Sequence, residues 1–180
     1  NVSNTPFRLY KHWVHEGGIS TPFIVHWPAE IKDAGGIRRQ PAQLPDVLAT
    51  LLDAAGVEYP STYNGHPVKP LEGFSMRPTF EDKPHNRKVL YWEHEGNKAV
   101  RKGKWKLVCR YPGGWELHDM EAAGTETCNV AAEHPDTVKE LSALYDAWAA
   151  RCGVIPWDKI LEMRNNDMKA RLSCKTGRVL

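Results

Sequence analysis

Val89-Leu90-Tyr91-Trp92, Ala99-Val100-Arg101, Trp105-Lys106-Leu107-Val108-Cys109 and Trp115-Glu116-Leu117-His118 are four short runs of mainly apolar and aromatic residues. His94-Glu95-Gly96-Asn97, Lys102-Gly103-Lys104 and Pro112-Gly113-Gly114 separate them, and each is a turn-forming cluster. Short strands closed by tight turns predict an antiparallel meander of about four strands. Trp92, Trp105 and Trp115 lie on these strands and are expected in its core rather than on a sugar-stacking platform. Downstream, Val138, Leu141, Leu144, Tyr145 and Trp148 recur at helical spacing, with Pro135 near the start and Cys152-Gly153 at the end. That helix is expected to cover one side of the small sheet. Residues 154–180 are charged and weakly patterned, which predicts a wrapping tail.

The first third reads differently. Pro22-Phe23-Ile24-Val25-His26-Trp27 is a continuous apolar block, the pattern of a strand covered on both faces. Leu44, Val47, Leu48, Leu51, Leu52 and Ala55 follow the three-and-four spacing of an amphipathic helix. Pro45 fits its first turn and Gly56 its C-terminal cap. Strand, loop and helix together predict a piece of an α/β sheet with its covering layer. Upstream, Gly17-Gly18 marks a turn where unusual dihedrals are expected. Residues 61–86 are rich in proline and glycine and read as a connecting segment. The predicted organisation is residues 1–60 as part of a main α/β domain, 61–86 as connector, 87–153 as a sheet-and-helix subdomain, and 154–180 as tail. One strand and one helix cannot close a large sheet, so exposed apolar surface is expected on residues 19–56 unless another polypeptide packs there.

Hydrophobic residues make up 41% and charged residues 26% of the 180, an ordinary balance for a globular domain. A formal charge of +2 is too mild to imply nucleic acid, and no apolar run is long enough to cross a bilayer. The first residues lack the pattern of a signal peptide. Cys109, Cys128, Cys152 and Cys174 form no C-x-x-C pair, so their spacing gives no support to zinc, and Cys109 reads as a buried free thiol. His12 and His15 could share a metal on a helix, but no third ligand completes the set and Gly17-Gly18 follows at once, so no metal site is assigned. Asn1-Val2-Ser3 matches the glycosylation sequon, a match that chance explains. Lys11, taken alone, reads as a surface lysine or a partner for Glu16. His94 lies between Glu93 and Glu95 in the turn that separates two predicted strands.

Lys11-His12-Trp13-Val14-His15-Glu16-Gly17-Gly18-Ile19, followed by Pro22 and a segment ending Trp27-Pro28, resembles a signature of the sulfatase family. In that family a lysine stands five positions before Glu-Gly-Gly. Asp46-Val47-Leu48-Ala49-Thr50-Leu51-Leu52-Asp53-Ala54-Ala55-Gly56 is similar to the family's next helix, and Gly73-Phe74-Ser75-Met76-Arg77-Pro78 to its Gly-x-Ser-Leu-x-Pro. Ala99 to Val108 resembles its C-terminal hairpin, while Glu116-Leu117-His118-Asp119-Met120 and Asn129-Val130-Ala131 resemble its closing motifs. The match runs in order over about residues 5–150. Ala49 stands where the family has proline, Gln43 where many members have histidine, and His118 where tyrosine is usual.

The resemblance implies the C-terminal piece of an alkaline-phosphatase-like α/β/α sandwich, joined to a small α+β subdomain. It implies a sulfuric ester hydrolase that uses calcium and a formylglycine made from Cys or Ser in Cys-x-Pro-x-Arg. That motif is absent here, as are the aspartate and asparagine metal ligands, so the upstream part of the same enzyme is an expected partner and this chain alone is expected to be inactive. Lys11 is implied as the cation on the sulfate, and His94 is expected to read the organic part of an aryl or carbohydrate sulfate ester. A periplasmic, secreted or lysosomal location follows from the resemblance only. Two rivals are a phosphatase or phosphodiesterase of the same superfamily, and a non-catalytic module that binds anionic sugars through Lys98, Arg101, Lys102, Lys104 and Lys106.

Overall fold

The computed structural model describes residues 4–176, with side chains through Lys169. The sequon at Asn1 and the Cys174 side chain lie outside the described residues. In chain order the elements are α1 (Glu16–Ile19), α2 (Leu44–Ala55), β1 (Thr62–Tyr63), β2 (His66–Pro67), α3 (Arg77–Phe80), β3 (Val89–His94), β4 (Asn97–Lys102), β5 (Trp105–Cys109), β6 (Trp115–Asp119), α4 (Pro135–Cys152) and α5 (Trp157–Thr176). Contacts divide the chain into one compact unit of Asn1–Thr21 with Tyr91–Leu180, and another of Pro22–Leu90.

The first unit is built on the expected four-stranded antiparallel sheet, in the order β3-β4-β5-β6. Its register sets Val100 opposite Leu107 and Leu107 opposite Leu117 in one row, and Ala99 opposite Val108 in the next. Side chains alternate across a pleated sheet, so these rows face opposite ways. The row of Val100, Leu107 and Leu117 lies on the α4 side, where Leu141 and Tyr145 are buried, Trp115 meets Tyr145 edge-on at 5.6 Å and Tyr91 stacks on Trp148 at 5.2 Å. The apolar face predicted for α4 is therefore the face that packs. The opposite row is covered by residues 8–19: Val14 packs on Ala99 and Val108, joined by Ile19 and Trp92. This two-sided coverage buries four of the five β5 residues.

The predicted tail is instead α5. No glycine or proline interrupts Trp157–Thr176, and Leu, Glu, Met, Arg and Lys favour helix without any apolar stripe to pack. Cys109 is buried and free, and burial pushes its thiol pKa up.

In the second unit, α2 forms where its spacing predicts, with Gly56 as a left-handed cap. Its packing is turned around. The buried side is Asp46, Ala49 and Thr50, while Leu44 is 84% exposed and Leu48 and Leu51 also face solvent. Asp46 closes the capping box by accepting the Gln43 N–H at 2.8 Å, accepts the Phe74 N–H at 2.8 Å, and holds Arg87 through Nε at 2.8 Å and through Nη2. Burial alone would raise the Asp46 pKa; the Arg87 and backbone N–H bonds outweigh it and hold the carboxyl below its usual range. Thr50 Oγ accepts the Met76 N–H at 2.9 Å. Gly73-Phe74-Ser75-Met76 is thus clasped to the polar side of α2, and a Cβ on Gly73 would strike the Pro45 carbonyl.

The strand predicted at Pro22–Trp27 does not form; no strand is assigned there. A strand needs a neighbour to satisfy its backbone, and this unit supplies none. Phe23 and Ile24 are 60% and 89% exposed. With the α2 leucines they make the exposed apolar surface expected of residues 19–56. The connector is also less irregular than predicted: Asn64 and Gly65, both at positive φ, close a minimal β1-β2 hairpin.

Candidate functional site

The Glu-Gly-Gly signature occupies α1, a single helical turn. Neither glycine has a positive φ, which corrects the expectation of unusual dihedrals. Their role is space. A Cβ on Gly17 would collide with the Arg8 and Leu9 carbonyl oxygens, and one on Gly18 with those of Trp13 and Tyr10. The loop preceding α1 therefore lies directly on glycine backbone. The Gly17 N–H donates to Arg8 O at 3.1 Å, and Asn4 Nδ2 donates to Gly17 O at 2.9 Å and Leu9 O at 3.2 Å.

Lys11 stands at the apex of that loop. The Trp13 N–H closes a tight turn onto Tyr10 O at 3.2 Å, so Lys11 and His12 are its two central residues. Both are exposed. His12 takes φ +88°, a conformation that costs a residue with a Cβ about 1 kcal/mol or more. The turn is held in place nonetheless. Asn97, a buried residue at the start of β4, donates through Nδ2 to His12 O at 3.1 Å and to His94 O at 2.9 Å. His94, at the exposed end of β3, brings Nε2 to 3.3 Å from His12 Nδ1. The structure thus brings His94 to His12, the chain neighbour of Lys11.

Beneath the turn is a charged cluster. Lys106 is fully buried, with Nζ 2.7 Å from Glu16 Oε1 and 2.6 Å from Glu126 Oε1. The second approach lies off the hydrogen-bonding angle and is an ion pair rather than a directed bond. Glu126, also fully buried, accepts the Glu16 backbone N–H through Oε2 at 2.8 Å. Arg8 donates to the Glu126 carbonyl at 2.6 Å and pairs with Glu116 at 3.0 Å. Glu116 is pulled up by burial but held below its ordinary pKa by Arg8.

The rival sugar-binding reading counts Lys106 among its exposed cations; the structure buries it. It also makes Lys106, rather than Lys11, the partner of Glu16. The other cations of that set are engaged too: Lys102 with Glu140 at 2.6 Å, Lys104 with Asp119 at 2.7 Å, Lys98 over the Tyr145 ring at 5.8 Å, and Arg101 through Nε to Gly103 O at 3.4 Å. Glu126 escaped sequence reading altogether. Strand alternation offered a signal for Lys106, because it shares the sheet face of Ala99 and Val108, but only knowledge that residues 8–19 cover that face makes it usable.

His12 and His15 do not form the helical pair considered from sequence, since the turn at Tyr10–Trp13 points them apart in environment: His12 exposed, His15 wholly buried. Neither His15 ring nitrogen has a hydrogen-bond partner among the described residues. Burial lowers its pKa from 6.5 to about 4, with Glu126 opposing and Arg8 and Lys106 assisting. Below pH 6.5 the unfolded chain therefore binds a proton that the folded chain refuses. Stability is expected to fall by about 3 kcal/mol as pH drops from 6.5 to 4 through this residue alone. His15→Phe should remove that portion of the slope in urea unfolding at stepped pH; an unchanged slope would exclude His15 as its source.

Residues 7–146 match the family described as N-sulphoglucosamine sulphohydrolase, C-terminal. An uncharacterised sulfatase of Schizosaccharomyces pombe is 32% identical over 162 residues, covering 86% of this chain and 29% of the relative. The N-acetylgalactosamine-6-O-sulfatase of Bacteroides thetaiotaomicron is 28% identical over 173 residues, covering 82% and 31%. A structure solved for the metabolism of multiple glycosaminoglycans by Bacteroides thetaiotaomicron superposes with a TM-score of 0.62 at 25% identity, covering 80% of this chain and 32% of the other. The chain spans about a third of the length of these relatives. The family match spans most of the chain and the ordered motifs fall within it: the chain belongs to the N-sulphoglucosamine sulphohydrolase C-terminal family, as the C-terminal part of a sulfatase of the alkaline-phosphatase-like fold.

Proposed function

We propose that this chain supplies the sulfate-gripping lysine and part of the substrate-reading wall of an enzyme that hydrolyses carbohydrate sulfate esters. The observation that carries the reading is the contrast at the signature loop: an exposed Lys11 on a turn whose base is locked by a buried ion cluster and by two glycines with no room for a side chain. Sulfate ester hydrolysis spreads negative charge over the sulfate oxygens and the departing ester oxygen. A cation fixed in advance at that place stabilises the charge without reorganising in the transition state. Lysine presents a compact point charge suited to this contact. The relative that acts on a 6-O-sulfated amino sugar supports a carbohydrate over a simple aryl substrate.

The described residues do not fit the calcium and formylglycine that the family implies. Calcium takes six to eight oxygen ligands, whereas the buried carboxylates here are committed, Asp46 to Arg87 and both Glu16 and Glu126 to Lys106. No cysteine precedes x-Pro-x-Arg. We assign both groups to polypeptide upstream, which would also cover Phe23, Ile24 and the α2 leucines. No described helix is long and apolar enough to cross a membrane, and we place the enzyme in the periplasm, outside the cell or in the lysosome on family grounds.

The test uses the full-length polypeptide carrying this chain, assayed on an amino-sugar 6-sulfate, an aryl sulfate and the matching phosphates. Sulfate release, fastest from the sugar, is expected. Faster phosphate release would favour the phosphatase reading instead. His94→Ala should shift the ratio of kcat/KM between sugar and aryl sulfates; an unchanged ratio would remove His94 from the substrate wall.

A further inference from the structure

Three potential metal ligands converge at the tip of the β3-β4 hairpin. His12 Nδ1 lies 3.3 Å from His94 Nε2 and 3.7 Å from Glu95 Oε2, although His12 and His94 are 82 residues apart in sequence. One ligand atom from each residue lies within 4.8 Å of the others. A tetrahedral ion with metal–nitrogen and metal–oxygen bonds of about 2.0–2.2 Å sets adjacent ligand atoms about 3.3–3.6 Å apart. Two edges of such a face, at 3.3 and 3.7 Å, lie at or near that spacing, and the third, within 4.8 Å, closes to it by rotation of the exposed Glu95 side chain. Two imidazoles and one carboxylate suit zinc and its neighbours, and are a poor set for calcium, which requires oxygens throughout.

The backbone under these ligands is already ordered. Asn97 spans the carbonyls of His12 and His94 with one amide nitrogen, and its Oδ1 accepts the Tyr111 N–H at 3.1 Å. The Gly96 N–H donates to Glu93 Oε1 at 2.9 Å, fixing the turn that carries Glu95. His12 and Glu95 are both at positive φ, +88° and +52°. Only side-chain rotamers remain to be fixed when an ion enters, so the ordering cost is small. The two rings are tilted by 35° at 5.5 Å, as two ligands of one centre can be.

We propose that His12, His94 and Glu95 bind a zinc-class transition-metal ion, with its fourth coordination position open to solvent. The site stands on this geometry. Its effect on turnover rests on the reading of Lys11 and His94 above: an ion on His94 withdraws that ring from the substrate, so zinc is expected to inhibit.

The experiment titrates zinc into the full-length polypeptide against a chromophoric zinc chelator, with excess calcium present to saturate oxygen-rich sites. One zinc equivalent is expected that His94→Ala and Glu95→Gln each weaken by about tenfold or more. Cobalt(II) in its place should give the ligand-field absorption of a four-coordinate ion, lost in His12→Ala. Zinc binding that is identical in wild type and His94→Ala overturns the proposal, and the 3.3 Å approach is then a hydrogen bond between two histidines. Zinc bound through His12 and His94 without inhibition supports the site and overturns the assignment of His94 to substrate.

Discussion

Lys11→Ala in the full-length polypeptide is expected to lower kcat by about 10²–10³-fold, the scale on which removal of one preorganised charge-stabilising donor is felt. The loss should fall mainly on kcat. Ground-state sulfate already carries its charge, but the ester oxygen gains charge only as the bond breaks, and a cation aimed there acts most strongly at that moment. Folding should be untouched, because Lys11 is exposed and its turn is fixed by backbone and Asn97 rather than by its own side chain. Lys11→Arg is expected to recover little. A planar fork places its charge differently from a point ammonium, and the apex of a two-residue turn has no slack to compensate. Single-turnover sulfate release, with urea unfolding as the control, measures both. Turnover within about threefold of wild type would exclude Lys11 from the charge-stabilising position.

The local elements were largely legible because local rules govern them. Turn clusters at Gly96, Gly103 and Gly113-Gly114 set the meander, and three-and-four spacing set α2 and α4. What escaped was long-range. Whether Pro22–Trp27 is a strand depends on a neighbour that the described residues do not provide, so an apolar block sufficient for a central strand is assigned no strand. The α2 helix shows the same limit from the other side: its periodicity foretold a leucine stripe, yet within its unit the helix packs by Asp46, Ala49 and Thr50. An amphipathic pattern identifies the face that needs cover and is silent on which face is covered by the same chain. At the site, the ordered motifs pointed to Lys11 and the hairpin pointed to His94. Glu126 carries no local mark. Its partners are 20 residues away at Lys106 and 110 residues away at Glu16, and only the fold brings them together.

Lys106→Met is expected to cost about 3–5 kcal/mol of folding stability, the usual penalty for removing one partner of a buried ion pair. The size follows from what stays behind. Glu126 is fully buried and Glu16 nearly so, and without the ammonium two carboxylates confront each other where water cannot screen them. Methionine keeps the unbranched apolar stem, so the loss reports charge rather than packing, including the contact of the ammonium with the Trp92 ring at 5.7 Å. Glu126→Gln in the same cycle should show strong coupling with Lys106→Met, toward the upper end of about 0.5–3 kcal/mol, because the two residues share one desolvated contact. The defect should also reach turnover. Glu126 caps the Glu16 N–H at the first residue of α1, and α1 is the surface on which the Lys11 loop rests. At temperatures where Lys106→Met is still folded, kcat should therefore fall while sulfate inhibition weakens, the signature of a misplaced rather than missing cation. A stability loss under about 1 kcal/mol would mean that water reaches the cluster, and the rigidity ascribed to the base of the signature loop would have to come from the glycine contacts alone.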